Sequence, residues 1–416
     1  MTGLVPLRLP LPPLPRWRPV RQRLTAAALP DVPAAVRDAL APHRAAVRPG
    51  ARVAVAVGSR GIDQVATVVA TVVATLRDWG AEPFVVPAMG SHGGGTADGQ
   101  RAVLAALGVT EAAVGAPILA TMDTVPVGTV LDGFAVRTDR YAAGADLIVP
   151  INRIKPHTDF RGPVESGLAK MLAIGLGKRD GAAALHGYPL RRFGEIIRAA
   201  GGLLCARLPV PFGLGLLEDG YRRLSVVAAV AGTEIPDREP SLLDRARELL
   251  PHLPVPELDV LLVGRVGKDV SGAGMDPNVT GRFAVPGITG PTTVRRLVAL
   301  DLTDATHGNA AGLGTADVTT ARLVDRLDTT AWYVNHLTTH WLGGARLPLV
   351  AATDSDALAA AVTSLPPTDP GALRIAWIRD TATLGEFWLS EAALGPAVTP
   401  TGPPVPIDLA AVPAAG

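Results

Sequence analysis

The chain has 416 residues, of which 48% are hydrophobic and 19% are charged, and its formal net charge is +1 at pH 7. This length exceeds one ordinary hydrophobic core and predicts two domains, and the composition excludes a disordered chain. Basic residues form no stripe and are not interleaved with aromatic ones, so we expect no nucleic-acid partner.

Cysteine usage and the N-terminus set the expected compartment. The single Cys205 excludes an internal disulfide and a closed cysteine-rich zinc site. The N-terminal stretch is apolar but interrupted by prolines, unlike a signal peptide. No apolar run is long and unbroken enough to span a bilayer. We therefore expect a cytoplasmic protein with no membrane partner.

The first half of the chain alternates strand and helix patterns. The predicted elements are strand 52–57, a Gly-Ser-Arg-Gly turn, helix 63–80, a strand from 82, a glycine loop at 90–95, a helix 97–108 capped by Thr96, and strand 144–150. This alternation predicts an α/β domain with a mostly parallel sheet. Ligands of such sheets bind beyond the carboxyl ends of the strands, where Arg60, His92 and His157 are expected to converge on one cleft.

A proline-spaced stretch at 251–259 predicts a linker between an N-terminal catalytic domain, 1–250, and a C-terminal α/β domain, 256–416. The second half is predicted to contain a strand ending at Gly264, a long Gly/Asp/Asn loop, strand 294–303, a helix or helix pair at 319–342, and strand 372–381. The Pro-rich tail, 402–416, is expected to be loosely ordered.

Lysine is rare in this chain, and three of its four lysines fall within 152–187. They are Lys155, Lys170, Lys178 and Lys268, whereas the other 35 of the 39 basic residues are arginines. An exposed lysine is readily exchanged for arginine, but a guanidinium stays protonated and cannot act as a nucleophile. The remaining lysines are therefore candidates for roles that need a primary amine.

Two histidines follow predicted strands. His92 lies in the GSHGGG loop, whose glycine N–H groups can bind an anion; the alternative is a turn histidine bonded to the backbone. Pro156 fixes the backbone before His157, and Asp159 or Glu165 is a candidate to orient its imidazole. Pairing of these carboxylates with surface arginines is the alternative.

Lys170 and His186 lie in the segment that follows. Apolar neighbours around Lys170 would lower the pKa of its amine and prepare it for covalent chemistry, unless the side chain extends to the surface. His186 is predicted to end a short helix, as a ligand or as a core or capping histidine. No HExxH spacing occurs, so nothing points to a zinc hydrolase of that type.

Three stretches together resemble the nickel-dependent lactate racemase family and its wider homologues. They are PAMGSHGGGTADGQ, NRIKPHTDFRGPVESGLAKMLAIGLGK and GKDVSGAGMDPNVTGR. The resemblance spans roughly residues 15–395 and implies two α/β domains with the active site in the cleft between them. It also implies a nickel-pincer nucleotide, a modified pyridinium mononucleotide tethered to a lysine through a thioamide.

The resemblance assigns roles by order and spacing. Lys170 matches the tethering lysine and His186 the histidine that completes the nickel coordination. His92 and His157 match the acid/base pair, and Arg60 matches an arginine of the family's Asp-x-Thr-Arg motif. Lys268 matches a lysine that contacts substrate. We expect Lys155 to hold a cofactor phosphate or a substrate carboxylate.

The implied activity is that of an isomerase, a racemase or epimerase acting on a small-molecule 2-hydroxy acid, with cofactor-biosynthesis proteins as partners. Two departures leave the identity of the hydroxy acid open: Val57 stands where the family has an aspartate, and the stretch from His157 to Lys170 differs from the family's glycine-rich version. The alternatives are a non-catalytic nickel-cofactor-binding protein and a metal-assisted lyase or hydrolase with zinc and a carboxylate base.

Overall fold

The structure is a computed structural model that describes residues 4–338, 340–410 and 412. It confirms the predicted α/β class. Two compact units are present: an inserted unit, Thr25–Leu250, and a split unit made of the described residues of Met1–Leu24 and Pro251–Gly416. The predicted division into 1–250 and 256–416 differs from these units mainly in the place of the N-terminal residues, whose first strand is β1 (Arg16–Gln22).

The inserted unit contains a five-stranded sheet and a separate antiparallel hairpin. Its strands are β2 (Arg52–Val57), β3 (Glu82–Pro87), β4 (Thr124–Val130), β5 (Phe134–Asp139), β6 (Leu147–Arg153), β7 (Phe212–Glu218) and β8 (Leu224–Ala231). The larger sheet has the order β3-β2-β6-β7-β8, and only the β7–β8 pair is antiparallel. The hairpin is β4-β5.

Helices cover both faces of this sheet. They are α1 (Val32–Leu40), α2 (Val65–Asp78), α3 (Ala97–Ala106), α4 (Glu111–Val114), α5 (Arg140–Ala143), α6 (Leu168–Lys170), α7 (Lys178–His186), α8 (Phe193–Arg207) and α9 (Ile235–Leu249). Alternate residues of β2 enter two different hydrophobic cores, Val53 and Val55 on one side and Ala54 and Ala56 on the other. A strand buried on both faces needs the continuous apolar run that identified it in the sequence.

The split unit is built on a nine-stranded sheet. Its further strands are β9 (Glu257–Val263), β10 (Thr293–Ala299), β11 (Val318–Thr320), β12 (Leu349–Ala351), β13 (Ile375–Ile378), β14 (Glu386–Ser390), β15 (Val398–Pro400) and β16 (Val405–Pro406). Its helices are α10 (Pro277–Thr280), α11 (Ala321–Asp325), α12 (Thr329–Thr338) and α13 (Asp354–Thr363). Strands β12-β11-β10-β9-β13 are parallel, as expected for an α/β unit.

Short 3-10 segments connect several of these elements. They are Ala41–Ala46, Gly93–Gly95, Leu190–Arg192, Gly232–Glu234, Asp304–Thr306, Leu313–Thr315, Leu342–Ala345, Pro370–Ala372 and Glu391–Ala393. The helical stretch predicted at 319–342 is a pair of helices, α11 and α12, followed by the 3-10 turn Leu342–Ala345.

The ends of the chain depart from the sequence prediction. Strand β1 pairs with β14, β15 and β16, so the proline-interrupted N-terminal stretch leads into the nine-stranded sheet. The Pro-rich tail was expected to be loosely ordered, but β16 lies within it; residues 411 and 413–416 lie outside the described part. No helix in the described ranges is both long and apolar enough to cross a membrane.

Candidate functional site

The sheet order brings three predicted loops to one edge of the inserted unit. Strands β3, β2 and β6 are adjacent and parallel, so their carboxyl ends meet at the same edge. His92 follows β3, Arg60 follows β2, and His157 follows β6. This is where ligands bind in parallel α/β sheets.

The glycine loop is shaped by close backbone contacts. Gly93 has φ +67°, and a Cβ at this position would lie 2.5 Å from the carbonyl carbon of Gly99, so no side chain fits. Buried Gln100 donates hydrogen bonds to the carbonyl oxygens of Gly90 (2.8 Å) and His92 (3.4 Å). The imidazole Nδ1 of exposed His92 hydrogen-bonds to the Ser59 hydroxyl. A hydroxyl can donate or accept, so this contact permits either imidazole tautomer.

His157 is held with its imidazole mostly buried. Its side chain is 19% exposed, and its ring stacks on Phe160 with centroids 4.3 Å apart. The backbone N–H of Asp159 donates to Nδ1 at 3.0 Å, while the Asp159 carboxylate is 3.7 Å from the same nitrogen. Because Nδ1 accepts a hydrogen bond, the neutral ring carries its proton on Nε2.

Burial lowers the pKa of His157 well below 6.5, and the positive charges of Lys170, Lys155, Arg60 and Arg161 lower it further. The imidazole is therefore neutral at pH 7. A neutral imidazole with its proton on Nε2 can donate a hydrogen bond to an oxygen of a bound ligand.

Glu165 fixes the loop that carries His157, but through the backbone. Its buried carboxylate accepts the His157 N–H at 2.6 Å and the Gly162 N–H at 3.3 Å. Arg247, on α9, donates to the same carboxylate at 2.7 Å, and Arg161 contacts it at 3.4 Å. Of the two carboxylates predicted to orient the imidazole, Asp159 lies near Nδ1, whereas Glu165 holds the chain.

Lys170 ends helix α6 and is followed by a π-helical turn, Met171–Gly175. Such turns are frequent at functional sites. The side chain is half-buried, and its Nζ lies 5.6 Å from the centroid of the Phe160 ring. Burial lowers the pKa of the amine to about 8; Asp159 opposes this shift, and Arg60 adds to it. Close to half of the amine is thus neutral at pH 8.

Aromatic contacts connect three of the predicted site residues. Phe160 lies against both His157 and Lys170, and its ring centroid is 5.6 Å from that of Phe193. The His186 ring in turn meets Phe193 edge to face at 5.6 Å. His186 is the last residue of α7, as predicted. Phe160 thus brings His157, Lys170 and, through Phe193, His186 into one neighbourhood.

Charges of both signs surround His157 and Lys170, with Asp159 and Glu165 facing Arg60 and Lys155. The charges of Arg60 and Lys155 lower the pKa of both His157 and Lys170. Nearby Arg153 is compensated by Glu218, to which it is hydrogen-bonded. Cationic side chains at the ends of parallel strands can bind an anionic ligand, such as a phosphate or a carboxylate.

Lys178 is a buried lysine with a structural role. Lys178 is the first residue of α7 and is 0% exposed. Its ammonium lies 2.9 Å from the Asp139 carboxylate and also donates to Pro87 O and, at 3.1 Å, to Gln100 Oε1. This buried pair therefore supports Gln100, which holds the glycine loop.

Lys268 lies in the split unit, where its Nζ donates to Asn335 Oδ1 and its backbone N–H donates to Thr306 Oγ1 at 3.1 Å. Its contact with substrate stays a prediction. Within the described ranges, no three His, Cys, Asp or Glu side chains are grouped so that they could hold a metal ion. The assignment of His186 as the histidine that completes the nickel coordination stays a prediction.

Sequence reasoning missed several residues that shape the site. Ser59 and Phe160 stand inside motifs that were quoted, but only the fold shows that they contact His92, His157 and Lys170. Glu239 contacts the Lys170 segment from 70 residues away, and no local pattern could have indicated this.

Comparisons with known proteins add the following. No protein-family model matches the chain, and no curated protein matches it. Among the solved structures that match is the lactate racemase apoprotein from Thermoanaerobacterium thermosaccharolyticum, which is 12% identical, with a TM-score of 0.48 over 87% of this chain and 83% of that chain. A likeness at this level identifies neither the family nor the function.

Proposed function

We propose that this protein is a racemase or epimerase of a 2-hydroxy acid that works with a nickel-pincer nucleotide tethered to Lys170. The observation that carries the proposal is the Lys170 amine: it is half-buried, its pKa is lowered to about 8, and it lies against the same Phe160 ring as His157. The motif resemblance is its second support.

The residues present fit such a cofactor. A partly neutral amine is what formation of an amide-type tether requires, since the protonated form has no lone pair to react. The charges of Arg60 and Lys155 suit the phosphate of a nucleotide. His186, connected to Phe160 through Phe193, would supply the imidazole ligand to nickel. When bound, the cofactor supplies an acceptor for the hydrogen on C2 of the substrate.

The protein's own groups would handle the proton of the substrate hydroxyl. The hydrogen on C2 is a weak acid because the carboxylate beside it is negative, so it would leave as hydride. Loss of the hydroxyl proton would accompany that step and give a 2-keto acid. His157, neutral and protonated on Nε2, is suited to donate to the substrate oxygen. His92, whose serine partner permits either tautomer, is suited to accept a proton. The surrounding cations would orient the substrate carboxylate.

The test is mass spectrometry and nickel analysis of the protein co-expressed with the cofactor-synthesis enzymes. We expect a nickel-containing adduct on the Lys170 peptide that is absent from Lys170→Ala. Lys268→Ala, in the other unit, is the matched control and should retain the adduct. An unmodified Lys170, under conditions that load a known member of the family, would refute the proposal.

The same preparation separates an enzyme from a non-catalytic cofactor-binding protein. A set of 2-hydroxy acids is screened for loss of optical activity with the wild type and with His157→Gln. Racemisation that His157→Gln lowers by at least 100-fold, with the adduct intact, supports catalysis. An adduct without turnover of any acid, unaffected by His157→Gln, supports the binding protein.

A further inference from the structure

Glu239, on helix α9, is a buried carboxylate that the proposed chemistry does not use. The residue is 1% exposed, and no cation among the described residues forms an ion pair with it. Burial raises its pKa to about 7, opposed by hydrogen bonds from the N–H groups of Ala169 and Leu168. A buried carboxylate without a countercharge is costly, so its position calls for a compensating role.

The carboxylate caps the short helix that ends in Lys170. Oε2 accepts the Ala169 N–H at 2.8 Å, which satisfies a donor at the start of a helix that has no partner inside the helix. Oε1 accepts no hydrogen bond from the described residues; it lies against Gly167 instead. A Cβ on Gly167 would stand 2.1 Å from Oε1 and 2.6 Å from Cδ of Glu239.

Gly167 is therefore required by a contact and not by its backbone conformation. Its φ of 176° is extended and open to any residue, so the Glu239 carboxylate is what excludes a side chain. Asn152, in β6, donates to the Gly167 carbonyl oxygen at 2.9 Å. The turn before Lys170 is thus held by a strand through Gly167 and by helix α9 through Ala169.

We propose that Glu239 is a positioning residue for Lys170: it fixes the turn Gly167–Ala169 so that the amine stays half-buried beside Phe160. Lys170 owes its lowered pKa first to burial, so its reactivity depends on how this turn is placed. That the placement of Lys170 matters for activity rests on the proposed function. That Glu239 fixes this placement does not.

The test is competitive acetylation of the apoprotein over a pH series, followed by mass spectrometry of single-lysine peptides. Because the chain has only four lysines, acetylation at Lys170 can be followed separately from the others. Lys268, in the other unit, serves as the internal reference. The wild-type Lys170 should titrate with a midpoint at about 8. In Glu239→Ala the Lys170 midpoint should move towards 10.5. A full return to 10.5 would lower the neutral fraction of the Lys170 amine at pH 8 by about 150-fold, and we expect this fraction to fall by at least about tenfold.

Two variants distinguish positioning from general damage. Glu239→Gln can place its amide oxygen where Oε2 stands and keep the Ala169 N–H bond, so it should retain the wild-type midpoint. Glu248→Ala removes an exposed glutamate of the same helix, paired with Arg245, and should change nothing. The Lys268 rate should be equal in all of them.

A folded Glu239→Ala protein whose Lys170 midpoint is still at about 8 would overturn the proposal. If Glu239→Ala does not fold, Gly167→Ala makes the same test, because its Cβ would displace the carboxylate from Ala169; an unchanged midpoint there would also overturn it. The acetylation needs no cofactor. An unmodified Lys170 in the nickel experiment would therefore refute the proposed function alone. An unchanged Lys170 midpoint in Glu239→Ala would refute the positioning role of Glu239 alone.

Discussion

Removing the charge of Asp139 should destabilise the inserted unit far more than removing an exposed carboxylate. In Asp139→Asn, Lys178 remains fully buried with only Pro87 O and Gln100 Oε1 as acceptors. The Asp139 Oδ1 that caps α5 through the Ala142 N–H, at 2.9 Å, can be replaced by the asparagine oxygen. With that oxygen in place, the asparagine NH2 group faces the Lys178 ammonium, so the variant removes the countercharge together with one hydrogen-bond acceptor.

The magnitude follows from the burial of both partners. Breaking a buried ion pair by removing one charge costs about 3–5 kcal/mol, because the other charge stays desolvated. For a unit of roughly 230 residues, the unfolding entropy of about 0.5 kcal/mol/K converts this into a fall of about 6–10 °C in the melting temperature. Calorimetry and urea unfolding of the full chain measure the two quantities.

The controls use neighbouring positions. Asp123→Asn removes an exposed carboxylate 3.6 Å from Arg140 and should change the free energy of unfolding by less than about 0.5 kcal/mol. The double variant Lys178→Met/Asp139→Asn removes both charges and should be more stable than Asp139→Asn alone. A loss below about 1 kcal/mol in Asp139→Asn, or a double variant less stable than the single one, would refute the reasoning.

Three further predictions concern the loop around His157. Long-range 1H–15N NMR of the apoprotein should show the His157 proton on Nε2, also in Asp159→Asn, because the donor to Nδ1 is a backbone N–H; a proton on Nδ1 would contradict this. Since the folded-state pKa of His157 lies well below 6.5, the unfolded chain binds a proton that the folded chain does not. The free energy of unfolding should therefore fall as pH drops below 6.5, and His157→Asn should reduce that slope in urea unfolding. Glu165→Gln should lower the free energy of unfolding by about 1–3 kcal/mol, because its buried carboxylate holds the His157 N–H and Arg247. Asp244→Asn removes the exposed partner of Arg247 and should lower it by less than about 0.5 kcal/mol. Equal losses in the two variants would show that the buried contacts of Glu165 add no stability.

Local patterns predicted the elements that carry the site. The apolar run Arg52–Val57, the Thr96 cap and the helix end at His186 are encoded by residues close together in the sequence, and each is present in the structure. The Thr96 hydroxyl accepts the Gly99 N–H at 3.1 Å, as a capping residue does. The placing of Arg60, His92 and His157 after adjacent strands followed from the expected parallel sheet.

What the sequence did not reveal depends on contacts between distant segments. The rarity of lysine marked Lys170 and Lys178 equally, but the distinction between them comes from Asp139, which pairs with Lys178 alone. The cap of helix α6 comes from Glu239 in another helix. The choice between Asp159 and Glu165 as partner of the His157 ring needed the fold of the loop, since both stand within eight residues of it.

The place of β1 in the nine-stranded sheet has a consequence for synthesis. Arg18 in β1 is hydrogen-bonded to a residue 373 positions later, so this strand cannot find its partners until almost the whole chain has left the ribosome. At 5–20 residues per second, that interval is about 20–75 s. The inserted unit is synthesised much earlier and can fold before β1 has any partner. Nascent chains would therefore expose an unpaired β1 for most of translation.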